Sequence, residues 1–138
     1  MTSPAEQSAD FEQKFSGGTL RLFALGNNAF RVRFEGKPLP TFPVRPIVDV
    51  LVPTEPPRVS ERGGVVRLEL PSISCEIDAT GRLRFFDRQG KLLLSEAADG
   101  RRLTESQLGG DPVVIAEQTF VSPGGERLYG TGCFQDGA

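Results

Sequence analysis

The chain has 138 residues, 16 Lys plus Arg against 18 Asp plus Glu, and no histidine. That length suits one domain, and the near-balanced charge lacks the basic excess needed to neutralise phosphates, which excludes nucleic acid as a partner. Without histidine the chain holds no Ser-His-Asp or Cys-His machinery and no ordinary zinc site, so no metal or cofactor is implied.

No apolar run approaches the roughly 18–20 residues that a membrane helix requires, so no membrane partner is expected. Met1 to Asp10 is polar and lacks the basic start and apolar stretch of a signal peptide, which leaves the compartment open. Ser3, Pro4 and Glu6 fit an N-cap, a first helical position and a capping-box carboxylate. They allow one or two helical turns through Phe11, and a polar tail explains them as well. Residues 1–14 are therefore expected as a flexible N-terminal segment with at most a short helix.

From Gly18 the apolar residues recur with period two, the signature of half-buried strands. Leu20, Leu22 and Ala24 share one face. After a turn at Gly26-Asn27-Asn28, Phe30, Val32 and Phe34 point one way while Arg31, Arg33 and Glu35 point the other. Seven prolines between Lys37 and Pro57 remove backbone donors and predict a long connection, with Ile47–Val52 as a short edge strand. Beyond Gly63-Gly64, Val66, Leu68 and Leu70 alternate with Arg67 and Glu69, and Ile73, Cys75 and Ile77 with Ser74 and Glu76. Turns at Asp78–Gly81 and Asp87–Gly90 lead to strands over Leu83–Phe86 and Leu92–Leu94, making a meander. The polar run from Ser95 to Asp111 is expected as a surface excursion. Val113–Val121 is the last strong strand, with Leu128–Tyr129 a further short one. Short alternating strands with almost no helix predict an all-β fold, an antiparallel β-sandwich over residues 15–138.

Candidate carboxylates for paired acid/base work are Asp49, Glu69, Glu76, Asp78 and Asp87. Asp78 and Asp87 fall at turn positions that favour aspartate locally, and Glu69 and Glu76 on the solvent side of strands, so no catalytic residue is assigned. The glycines from Gly130 to Gly137 match neither a dinucleotide fingerprint nor a phosphate loop. With no Trp, one Tyr and ten Phe set mostly at core-facing positions, the chain lacks the exposed flat rings of a free-standing sugar-binding module. Cys75, on an apolar strand face, reads as an inert buried thiol.

Three stretches carry a family resemblance: Asn28-Ala29-Phe30-Arg31-Val32-Arg33-Phe34; Ile73 to Ser95; and Glu126-Arg127-Leu128-Tyr129-Gly130-Thr131-Gly132-Cys133-Phe134-Gln135-Asp136-Gly137. Together they resemble the N-terminal β-sandwich of family 31 glycoside hydrolases, the α-glucosidase and α-xylosidase family. Thr131 and Cys133 depart from that family's usual Leu and Gln or Glu. The resemblance implies a galactose-mutarotase-like sandwich packing on a (β/α)8 barrel of the same polypeptide. The barrel, absent from this chain, carries the aspartate nucleophile and acid/base of a retaining α-glycosidase. It also implies that Phe134, Gln135 and Asp136 line the parent's carbohydrate pocket. Mutarotase chemistry relies on histidine and is not expected. The alternative is an independent carbohydrate-binding or structural sandwich with no catalysis.

Overall fold

The computed structural model describes residues 8–36, 53–122 and 125. They form nine strands and no helix: β1 Phe11–Phe15, β2 Gly18–Leu25, β3 Ala29–Glu35, β4 Arg58–Arg62, β5 Val65–Glu69, β6 Ile73–Ile77, β7 Leu83–Asp87, β8 Leu92–Leu108 and β9 Asp111–Val121. Two antiparallel sheets result, a three-stranded one in the order β1-β2-β3 and a six-stranded one in the order β4 to β9. Every neighbour in space is a neighbour in sequence, so each described sheet is a plain meander of hairpins.

The core lies between the layers and follows the period-two pattern. Leu20 and Leu22 of β2 meet Leu68, Cys75, Ile77 and Leu83 of β5–β7, all at most 1% exposed. Phe11, Phe15, Phe30, Phe34, Val66 and Phe85 pack around this nucleus. Each fully buried aliphatic side chain here contributes roughly 1.5–3 kcal/mol by leaving water. The fold is thus the expected all-β sandwich with a single apolar seam.

Both aspartate-led turns form as their chemistry demands. Asp78 Oδ1 accepts from Thr80 N at 2.9 Å, Thr80 Oγ1 at 2.7 Å and Arg82 N at 3.1 Å. Asp87 Oδ1 accepts from Gln89 N at 2.9 Å and Lys91 N at 2.8 Å. Gly81 and Gly90 close these turns with φ of +85° and +81°, a left-handed backbone that glycine adopts without a Cβ penalty.

Two expectations change, and one strand had not been anticipated. Phe11, placed at the end of a helical turn or tail, instead opens strand β1, opposite Leu22. Its ring and that of Phe15 gain more from packing on the core than isolated helical turns could supply. The Ser95–Asp111 excursion is not a loop: β8 continues through it to Leu108, paired with β9 down to Leu108↔Asp111. Lastly, Arg58–Arg62, which shows no clear apolar alternation, is strand β4, with Val59 opposite Leu68 and the Gly63-Gly64 turn joining it to β5. The expected strands at Ile47–Val52 and Leu128–Tyr129 lie outside the described residues.

Candidate functional site

Where the layers meet at one end, an open groove of about 750 Å³ is lined by Lys14, Phe15, Phe34, Arg82, Asp99 and Arg102, with Glu96 and Arg101 in its wall. Its geometry derives from an interruption in the β8–β9 ladder. Glu96 is opposite Phe120 and Arg101 opposite Gln118, so the stretch between them bulges out of register. Within it Asp99 takes φ +52°, and a Cβ on Gly100 would sit 2.6 Å from the Thr119 carbonyl oxygen. Only glycine allows that approach.

The bulge brings a glutamate and an arginine to the same inner face. Glu96, only 3% exposed, receives Arg101 Nη2 on both oxygens at 2.7 and 2.6 Å. Oε1 also accepts from Gln118 Nε2 at 2.7 Å, and Oε2 from the Leu83 backbone N–H at 2.9 Å. Arg101 Nη2 reaches on to the Gly81 carbonyl at 3.1 Å. Arg82 donates to the Glu96 carbonyl at 2.7 Å and to Ser95 Oγ at 3.0 Å. One carboxylate therefore fastens β7, β8 and β9 together. Each of its oxygens accepts two hydrogen bonds, which makes Glu96 an anchor.

The four sequence-nominated carboxylates among the described residues each have structural partners. Glu76 accepts from Arg67 and Arg84, both at 3.0 Å, and Glu69 from Arg67 at 2.9 Å. Burial opposes ionisation of Asp78, but the hydrogen bonds from Thr80 and Arg82 and the Arg82 charge hold its carboxyl below the usual value. Asp87 caps its turn. Among the described residues, no group of three or more His, Cys, Asp or Glu is placed to hold a metal ion. Cys75 is fully buried, and burial, reinforced by the charges of Glu96 and Glu76, pushes its thiol up to about 12. It is inert, as its strand position suggests.

Two further rings, one buried and one half-buried, carry cations. The Arg31 guanidinium lies 5.9 Å from the Phe23 centroid, and those of Arg67 and Arg84 lie 5.7 and 6.0 Å from Phe86. Each such contact is a favourable electrostatic interaction with the ring face. Asp49, Cys133 and the substrate-binding candidates Phe134, Gln135 and Asp136 lie outside the described residues. Sequence reasoning missed Glu96 and Arg101, because it placed both in a solvent-exposed excursion. No phase marked Glu96, because Leu92, Leu93 and Leu94 form an unbroken apolar run and all three are exposed.

No family model and no curated protein matches the chain. Among solved structures it is similar to a GH31 α-xylosidase from Xanthomonas citri, with a TM-score of 0.66 and 23% identity over 86% of this chain. Another is a GH31 α-xylosidase from a soil metagenome complexed with xylose, with a TM-score of 0.45 and 27% identity over 68% of the chain. In each case the chain spans 14% of the other protein's length. The first likeness establishes a shared fold.

Proposed function

We propose that this chain is the N-terminal accessory domain of a family 31 glycoside hydrolase, a retaining α-glycosidase of α-glucoside or α-xyloside type. The carrying observation is the fold shared with the Xanthomonas citri α-xylosidase over 86% of this chain and only 14% of that one. The three motif stretches, read from sequence independently of the fold, support the same family. Such a domain packs against a catalytic barrel in the same polypeptide and needs no acid/base pair of its own. The structural partners of Glu69, Glu76, Asp78, Asp87 and Glu96 agree with that division of labour.

In this reading, Phe134 forms an apolar wall of the parent's substrate pocket. Gln135 and Asp136 hydrogen-bond sugar hydroxyls there. The test is kinetic, on the full product of the gene from which the chain derives. That product should hydrolyse aryl α-xylosides or α-glucosides, whereas the 138-residue chain should not. Asp136→Ala in the full product should lower kcat/KM by about 1–3 kcal/mol of transition-state binding without unfolding it. A full product with no barrel, or one inert towards all α-glycosides, would remove the reading and favour the independent sandwich.

A further inference from the structure

The six-stranded sheet ends in a long edge. β9 runs for 11 residues, and among the described residues only β8 pairs with it. An edge strand presents unpaired N–H and C=O groups, which other proteins shield with proline, inward charges or short length. Here the sole proline, Pro112, stands at the strand's start, and from Val113 to Val121 the only charge is Glu117. Its large apolar side chains are open: Ile115 is 49% exposed, Phe120 44% and Val121 49%. A net charge of −2 gives little mutual repulsion.

The geometry points to a second copy of this chain as the occupant, its β9 pairing antiparallel with this one about a two-fold axis at Gln118. A two-fold axis normal to the sheet requires paired residues to lie on the same face. Gln118 points inward, to Glu96, so Ala116 and Phe120 are inward as well, while Ile115, Glu117, Thr119 and Val121 point outward. An axis at Gln118 then sets Ile115 against Val121, Ala116 against Phe120 and Glu117 against Thr119. Apolar meets apolar, and each carboxylate meets a hydroxyl. Moving the axis one residue to Glu117 would set two carboxylates face to face, which is destabilising.

The backbone agrees. The Thr119 carbonyl points at Gly100 on β8. Strand alternation therefore turns the N–H and C=O groups of Ala116, Gln118 and Phe120 away from β8, towards the open edge. In the Gln118-centred register these three residues meet one another, so each pair exchanges both of its hydrogen bonds. Among the described residues, the three-stranded sheet packs over β5, β6 and β7 and reaches β8 at Arg101, and none pairs with the outer edge of β9.

Sedimentation equilibrium on the 138-residue chain tests this, with circular dichroism as the folding control. The chain should dimerise. Ala116→Pro, which removes an outward N–H and no β8–β9 bond, should raise the dissociation constant by about tenfold or more. Ile115→Lys should do the same, and adding Val121→Glu to it should restore association, because the two residues face each other across the axis. A monomer at up to about 1 mM would overturn the proposal, as expected if a strand of a longer polypeptide is the real occupant. A dimer unaffected by both single substitutions, or not restored by the charge pair, would overturn it too.

Discussion

The guanidinium carbon of Arg101 lies 5.0 Å from the centroid of the Phe34 ring, so a cation on β8 is capped by an aromatic face from the opposite sheet. That contact joins the two layers at the groove end, where the ion pair with Glu96 is drawn into the interior. The pair is not fully satisfied. Arg101 Nε is buried and finds no hydrogen-bond partner among the described residues. An orphan donor in a low-dielectric site is a cost that shape-matched apolar residues would not bear.

Removing one member and removing both should therefore differ in kind. Arg101→Met leaves the Glu96 carboxylate buried beside Leu83 without its cation and should cost about 3–5 kcal/mol in urea unfolding. The double change Glu96→Leu with Arg101→Met should recover most of that loss. If the double variant is as unstable as the single one, the network is worth more than its charges.

Gly81 gives a steric prediction. At φ +85°, a Cβ there would lie 2.9 Å from the Phe15 ring. Gly63 has φ +60° with nothing within 4 Å of its Cβ position. Gly63→Ala should cost about 1 kcal/mol, the backbone penalty alone. Gly81→Ala should cost about 2–4 kcal/mol, because β1 must also shift off the core. Thermal unfolding of both variants separates the two contributions.

Cys75 predicts the alkaline limb of the stability curve. Its folded thiol is pushed up to about 12 from an ordinary 9.0, mainly by burial. The neutral thiol is favoured in the folded chain, so its stabilisation is complete below the unfolded value. It is lost as pH rises from about 9 towards 12, since only the unfolded chain releases the proton there, with a slope approaching about 1.4 kcal/mol per pH unit. Cys75→Ala should flatten that limb. At pH 8 the native thiol should react with a disulfide reagent only as fast as the chain opens.

Asp78 predicts the acid limb. Its carboxyl sits below the usual value because Thr80 and Arg82 favour the charged form against burial. That stability is present above the unfolded value and fades as pH falls through the lower, folded one. Asp78→Ala should cost about 1–2 kcal/mol at pH 7 and progressively less in acid, read from urea midpoints at several pH values.

Legibility followed burial. Leu20, Leu22, Leu68, Cys75 and Ile77 announce their strands because one face of each meets the core. Strand β4 has all five residues exposed, so no apolar period marked it, although the Gly63-Gly64 pair at its end is a hairpin signal. Beyond Leu103, β8 exposes side chains on both faces, which erases the alternation that defines a strand by eye. Glu96 and Arg101 were hidden for another reason. A charged residue reads as solvent-facing until its partner is known, and this partner depends on a bulge that no local pattern revealed.

That bulge controls parity. From Glu96 to Arg101 the chain takes five steps along β8, against two along β9. Five is odd, so in an unbroken strand the two side chains would point to opposite faces; the surplus reverses the pleat and sends both inward. Between them the chain should accept insertions or deletions of two residues far better than of one. A single-residue change would turn Arg101 out to solvent and leave Glu96 without its cation. The spacing between these residues is a count the fold must preserve modulo two, whatever side chains fill it.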